Sequence, residues 1–282
     1  MTWGVRGVSL RYGAVQALTG IHLELPPGEV RVVVGGDGAG KTTLLGIVAG
    51  ALSPEAGEVS RPVAARIGYL PASSGIYPDL SVAENLAFAQ AAYGVRGPAV
   101  AERSRLLLAR AGLLGIEKRL GGELSGGMRQ KLGVIRAMLH QPDLLILDEP
   151  TTGVDPLSRR DLWWLIAHAA AEGSAVLVAT TYVDEAERAT ELLLLDRGHA
   201  AARGAPDAVI AAMPGTLMAG DDPPSASEAA FSWRRGRQWR LWAPEGAVEV
   251  ANGWRAIPPD LQDAVTVALL RSEREAAQGG AA

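Results

Sequence analysis

The 282-residue chain contains no cysteine. Disulfides, thiol nucleophiles and cysteine-ligated zinc are excluded together, and the redox compartment is left undecided. Histidine is scarce as well: His22, His140, His168 and His199 show no metal-ligand spacing of the HExxH kind. Apolar runs are short, ELLLLD (191–196) being strand-sized, and none approaches the ~18–20 residues that cross a bilayer. The opening residues, MTWGVRGVSL, lack a basic start followed by an apolar core, so no secretory leader is expected. Positive charge is not in excess either. A net charge of −4 and a pI near 5.7 argue against a general nucleic-acid binder. The expectation is a cytoplasmic chain; if membranes matter, another subunit crosses them.

What is present is 48% hydrophobic residues, enough at this length to bury a full core. Val5 to about Glu24 reads as short strands with a turn at Tyr12–Gly13. Val30–Val34, Ile67–Leu70, Leu144–Leu147 and Ala175–Thr180 are apolar runs fit for buried strands. Helical pattern follows the glycine-rich loop through about Ala49 and runs from Ser81 to about Gly133, with breaks at Gly94–Pro98 and Gly121–Gly122. A further helix spans Leu157–Ala171. Strand–helix alternation of this kind predicts an α/β fold with a parallel sheet covered on both faces. Residues 214–227, PGTLMAGDDPPSAS, read as a linker between a domain at 1–213 and a small β/α extension at 228–276. The extension ends in a helix from about Pro258 to Arg274, and residues 277–282 are expected to be a disordered tail.

GGDGAGKT, Gly35–Thr42, matches GxxxxGK[ST] between a predicted strand and a predicted helix. Its backbone N–H groups, from Gly35, Gly36, Asp37, Gly38, Ala39 and Gly40 into Lys41, Thr42 and Thr43, form an anion nest at a helix start. Lys41 should reach the β- and γ-phosphates of ATP, and the Thr42 hydroxyl should ligate Mg²⁺. Asp37 is expected to make an Asx-type turn bond. LLILDEP, Leu144–Pro150, delivers Asp148 to the carboxyl edge of the sheet. Asp148 would hold Mg²⁺ through water, and Glu149 would orient or deprotonate the attacking water. Ser125-Gly126-Gly127 opens another helix, a second phosphate cradle, which suggests two chains sharing nucleotides.

Together these residues resemble the nucleotide-binding subunit of ABC transporters over about Val5–Ala212. The resemblance implies a P-loop NTPase (RecA/F1-like) core with an antiparallel β subdomain and a helical signature subdomain at about 81–140. Tyr12, in RYGAVQAL, resembles the aromatic that stacks on adenine. LSGGM resembles the signature LSGGQ, with Met128 in the last place, and GVDP resembles the D-loop, where Asp155 contacts the opposite subunit. In that family two subunits close head to tail, and each ATP lies between one Walker loop and the other signature. The group most similar is the degenerate amino-terminal half of tandem nucleotide-binding proteins in ABC-2-type multidrug efflux, which implies an ABC-2-type transmembrane permease as partner. It also implies a second nucleotide-binding subunit, identical or not, and a location on the inner face of the membrane. Gly36 stands where such relatives have proline, which should loosen the loop.

Two departures concern the γ-phosphate. In LVATTYVDEAE, Thr181 occupies the place of the family's switch histidine, and no histidine lies between His168 and His199. In IGYLPASSG, Ala72 occupies the place of the Q-loop glutamine. A methyl group neither ligates a metal nor orients water. Slow turnover at the chain's own Walker site is therefore expected, with nucleotide binding intact. The alternative function is a non-transport ABC ATPase with a regulatory role such as ribosome association.

Two weaker signals remain. Phe231–Gly246 holds three of the seven tryptophans and four arginines; it suggests either a single-stranded nucleic acid surface or a half-buried strand, and the strand is favoured. Tyr77, Pro78 and Leu80 lie where the family receives the permease's coupling helix, and read equally well as local core.

Overall fold

Strands without a polar face must be covered on both sides, and the valine- and leucine-rich segments of this chain meet that demand by lying side by side in one sheet. The computed structural model describes residues 2–244 and 253–279. The chain starts with β1 (Trp3–Tyr12), β2 (Val15–Leu25), β3 (Val30–Val34), α1 (Lys41–Ala49), β4 (Ala56–Ser60) and β5 (Ile67–Leu70). The helices α2 (Val82–Ala92), α3 (Pro98–Arg110) and α4 (Gly126–Met138) follow. Then come β6 (Leu144–Asp148), α5 (Pro156–Ala171), β7 (Ala175–Thr180), the single turn α6 (Val183–Ala186), β8 (Glu191–Asp196) and β9 (His199–Gly204).

The central sheet has the order β5-β6-β7-β3-β8-β9, and β5, β6, β7, β3 and β8 pair in parallel. Every residue of β6 and β7 is buried, as the unbroken apolar runs require. One face, with Val33, Ile146, Leu177 and Leu193, packs with Leu44, Leu45, Ile47 and Val48 of α1 in a core that extends to Leu18, Ile21 and Leu25 of β2. The opposite face is covered by α4 and α5, which contact each other and, respectively, β5 and β7. A second, antiparallel sheet has the order β2-β1-β4. Its third strand, β4, carries no apolar signature and was not legible as a strand. α2 starts with a reciprocal cap: Ser81 Oγ accepts from Glu84 N–H (3.2 Å), and Glu84 Oε2 accepts from Ser81 N–H (2.8 Å).

The chain divides into two units, Met1–Ala200 and Ala201–Ala282. The expected boundary at residue 213 is thus placed too late. α7 (Pro206–Ala211) contacts α8 (Leu261–Gly279), so its partner lies in the second unit. The expected linker at 214–227 contains β10 (Thr216–Gly220), whose Leu217 and Ala219 are buried; prolines and glycines flank this strand and do not interrupt it. β10 lies in an antiparallel sheet, β11-β12-β10-β13, with β11 (Ser232–Arg235), β12 (Gln238–Ala243) and β13 (Arg255–Ala256). The tryptophan- and arginine-rich segment forms the β11–β12 hairpin. Trp242 Nε1 donates to Pro214 O (2.7 Å), and Arg235 pairs with Asp260 (2.7 Å) and Asp263 (3.0 Å) at the start of α8. These side chains serve packing and ion pairing within the unit, as the strand reading required; residues 245 and 246 of the segment lie outside the described residues. α8 continues to Gly279, past the expected end near Arg274 and into the expected tail, of which residues 280–282 lie outside the described ones.

His140, just after α4, is buried and stacks on Tyr93 with ring centroids 3.6 Å apart and planes 11° from parallel. Burial, reinforced by Arg66 and Arg103, pushes its pKa down from 6.5 to about 4. The unfolded chain takes up a proton at this residue at higher pH than the native one does, so the neutral ring's stabilisation is complete above ~6.5 and is lost as pH falls toward 4. His140→Phe is expected to keep the stack and to flatten the melting temperature against pH between about 6.5 and 4. Parallel pH profiles of variant and parent would contradict this.

Candidate functional site

Parallel pairing puts the carboxyl ends of β5, β6, β7 and β3 on one edge, where open α/β sheets bind their ligands. The register is explicit. Leu70 pairs with Leu147, Asp148 with Ala179, and Val34 with Thr180. The turn carrying Ala72, the Asp148–Glu149 pair, the Thr180–Thr181 joint and the loop from Gly35 therefore all leave from the same edge.

The loop is fixed by close packing at its two ends. A Cβ at Gly35 would stand 2.5 Å from Leu195 O, and one at Gly40, whose φ is 105°, would stand 2.6 Å from Ala17 O. Gly36 faces open space, so the missing proline leaves no hole in the packing. Lys41, the first residue of α1, is 7% exposed and its Nζ donates to Gly35 O (2.8 Å) and Gly36 O (3.1 Å). The Thr42 hydroxyl donates to Asp148 Oδ2 (2.9 Å), and Thr43 is half-buried behind it. One expectation fails: the Gly36–Ala39 turn is closed by the Ala39 N–H on Gly36 O (3.2 Å), while the Asp37 side chain is exposed and supplies no Asx bond. The backbone alone satisfies the turn, leaving the carboxylate no donor to cap.

Asp148 is 1% exposed. Burial pushes its carboxyl pKa up, the Thr42 hydrogen bond pulls it down, and the charge of Glu149 pushes it up again. Its Oδ1 has no hydrogen-bond partner among the described residues, an expensive state for a buried carboxylate oxygen. Glu149 adopts φ 49°, in the left-handed region that side chains enter at a cost of about 1–2 kcal/mol. Its N–H still donates to Ala179 O (3.0 Å), while its carboxylate turns toward the loop. There Oε1 lies 3.3 Å from Lys41 Nζ and Oε2 accepts from Thr152 Oγ1 (2.8 Å). An orphaned carboxylate oxygen beside a threonine hydroxyl fits a hard divalent cation, and a lysine among backbone amides fits a phosphate. Among the described residues no cluster of three acidic, histidine or cysteine side chains holds a metal alone. A cation here would complete its shell with phosphate oxygens and water, as Mg²⁺ does.

The remaining candidates are distributed as follows. Ala72 is exposed in the turn after β5, and Thr181 is exposed just after β7. Thr180, by contrast, is buried; its hydroxyl donates to Glu185 Oε2 (2.8 Å) and accepts from Tyr182 N–H (3.1 Å). Arg159 of α5 lies 3.4 Å from Glu185 Oε1 and 4.6 Å above the Tyr182 ring centroid, bracing the turn that presents Thr181. Ser125 caps α4, accepting from Met128 N–H (3.3 Å); Gly126 faces open space, and Gly127 lies against Ser158 and Asp155. Asp155 caps α5 through the N–H groups of Leu157 and Ser158, both at 3.0 Å, and these bonds hold its carboxyl below the usual range. Among the described residues no hydrogen bond joins this second group to the phosphate loop. Tyr12 is 52% exposed at the tip of the β1–β2 hairpin. The structure thus brings Lys41, Thr42, Asp148 and Glu149 into one cluster and sets Ser125–Gly127 and Asp155 in another.

Residues 18–152 match the ABC transporter family. The chain is 36% identical over 216 residues to the Nod factor export ATP-binding protein I of Burkholderia orbicola, covering 73% of this chain and 71% of that protein. The chain belongs to the ABC transporter ATP-binding family. It is also 39% identical over 209 residues to the probable multidrug ABC transporter ATP-binding protein YbhF of Escherichia coli. That match takes in 71% of this chain but only 36% of YbhF, so the chain spans about a third of that relative's length. Among solved structures, an ATP-binding subunit of an ABC transporter superposes with a TM-score of 0.69 at 28% identity, over 74% of this chain and 92% of that one. A dimeric bacterial ABC transporter cassette, at 22% identity and a TM-score of 0.65, over 73% of this chain and 98% of that one, shares the fold. The P-loop α/β fold class read from the sequence is the observed one. Among the described residues no helix is long and apolar enough to cross a membrane.

Three side chains of the site escaped sequence reading: Thr152, Arg159 and Glu185. Thr152 is three residues from Glu149, but only the left-handed turn at Glu149 makes the two meet.

The raised pKa of Asp148 means that the protonated form favours the fold, a stabilisation present at low pH and lost as pH rises past its native pKa. Asp148→Asn is therefore expected to raise the melting temperature of the nucleotide-free chain at neutral pH, with a gain that shrinks on acidification, and to abolish the Mg²⁺ dependence of nucleotide affinity. Destabilisation at neutral pH, or affinity still dependent on Mg²⁺, would contradict the role given to this carboxylate.

Proposed function

We propose that the chain is the ATP-binding subunit of an ABC-2-type exporter and the degenerate member of a pair of nucleotide-binding subunits. The observation that carries this reading is the Lys41–Thr42–Asp148 cluster with its unpartnered Oδ1, set on an edge where residues 72 and 181 are alanine and threonine. The relatives' names, multidrug transport and Nod factor export, support export as the process. The Gly35–Thr43 amides and Lys41 grip the phosphates, the Tyr12 ring offers a platform for adenine, and Thr42 and Asp148 hold Mg²⁺. Mg²⁺ held there would supply charge neutralisation for the phosphates. Glu149 is the general base that orients water.

The Ser125–Gly127 helix start, exposed at Ser125 and Gly126 and apart from the chain's own loop, serves the nucleotide of a second subunit, with Asp155 beside it. Leu157, 67% exposed, belongs to the same contact face. Phe88, exposed and edge to face with the exposed Tyr77 at 4.9 Å, lines a cavity of about 230 Å³ together with Tyr69, Tyr93 and Arg136. This groove receives the permease, placing the subunit on the inner face of the membrane.

Removing one pre-organised contact to a transition state costs ~10²–10³ in rate. With Ala72 and Thr181 the site lacks two, and losses within one unit combine less than additively. Ala72→Gln with Thr181→His is expected to raise steady-state ATP turnover of the purified chain at least ~10-fold without tightening ATP binding. Equal turnover in variant and parent would remove these two positions as the cause. The native complex is expected to co-purify with an integral membrane protein; recovery with ribosomes instead would overturn the transport reading.

A further inference from the structure

The Lys41 ammonium has three N–H donors; it donates to Gly35 O at 2.8 Å and Gly36 O at 3.1 Å, and Glu149 Oε1 lies 3.3 Å from it as its ion-pair partner. The two carbonyls belong to the cradle itself. Glu149 reaches in from the far side, from the end of β6. Its carboxylate is held at both oxygens, since Oε2 takes the Thr152 hydroxyl at 2.8 Å. Its backbone is held as well. The N–H is bound to Ala179 O (3.0 Å), and Thr152 N–H returns to Glu149 O (3.3 Å) around the φ 49° turn. The Lys41 and Glu149 side chains are only 7% and 17% exposed, so solvent screens the pair weakly.

We propose that Thr152 and Glu149 form a latch on the phosphate loop. Thr152 locks the Glu149 carboxylate onto Lys41, and an incoming phosphate must displace it. The inference rests on the reading above that this loop binds nucleotide, and it adds what controls entry. A phosphate on Lys41 takes the place of the carboxylate, so the base is released to turn toward water only when a phosphate is present. Apparent affinity for nucleotide is lowered by the fraction of molecules in which the latch is shut. Thr152 is accordingly a positioning residue that acts through Glu149.

The sign of the effect separates a latch from a scaffold. If Thr152 and Glu149 merely support the loop, weakening them loosens nucleotide binding; if they compete with nucleotide, weakening them tightens it. The probe is ADP without Mg²⁺, so that neither turnover nor the metal intervenes, and affinity is read by titration calorimetry on the full chain. Thr152→Val preserves shape and removes the hydroxyl, and is expected to tighten ADP binding roughly 2–5-fold. Glu149→Asp keeps the charge, withdraws it by one methylene and is expected to tighten binding about 3–10-fold. Thr152→Ser restores the hydroxyl and should match the parent.

Failure of the parent itself to bind ADP would sink the nucleotide reading. A parent that binds, with Thr152→Val and Glu149→Asp equal to it or weaker, would sink the latch alone. Should Thr152→Val fail to fold, Glu149→Asp, which leaves Thr152 in place, decides the question.

Discussion

A single hydrogen bond, Thr42 Oγ1 to Asp148 Oδ2 at 2.9 Å, ties together the two segments on which the site depends. One partner starts the helix after β3 and the other ends β6, with β7 between them. The bond forms only because three strands run parallel and in register, so that their carboxyl ends coincide. Side chains alternate along a strand, so a slip of one residue in β6 would turn Asp148 to the other face and part it from Thr42. The apolar runs that make the core are therefore also what aims the chemistry. Fold and site are one constraint here.

The electrostatics of the edge follow from the same burial. Asp148 is nearly inaccessible and keeps one oxygen without a donor among the described residues, while Lys41 donates to two carbonyls of its own loop and is ion-paired with Glu149. One carboxylate oxygen of the site is thus suited to a cation, and Glu149 lies on Lys41 where an anion would bind. A metal–phosphate pair would relieve both at once: the cation would answer Asp148, and the phosphate would replace Glu149 on Lys41. This explains in physical terms why a buried carboxylate and a strained glutamate persist side by side at a cost to the fold.

Much of this was legible in the sequence because it is written in local patterns. Unbroken runs such as LLILD and AVLVAT have no reading but a covered strand. GGDGAGKT has a spacing that only a strand–loop–helix context uses, and Ser125 opens a helix by type and position. What was not legible depends on conformations that composition does not show. Glu149 and Thr152 meet through a left-handed residue, and Thr180 reaches Glu185 around a turn followed by a single helical turn. Arg159 comes from another helix altogether. β10 was hidden because prolines and glycines on either side of Leu217–Ala219 made a short strand look like a linker. Asp37 misled in the opposite way: a residue type favoured in side-chain-capped turns sits in a turn that the backbone closes unaided.

The central claim is that nucleotide is gripped here by amides, a lysine and a metal, while contacts that would hasten scission of the terminal phosphate bond are absent at positions 72 and 181. A single-turnover experiment tests it most directly, with the purified chain in excess over Mg²⁺-ATP and the bound nucleotide sampled by rapid quench. The account predicts that bound ATP survives for minutes, well below the ~1–10³ s⁻¹ of ordinary enzymes. Conversion of bound ATP to ADP within about a second would contradict it.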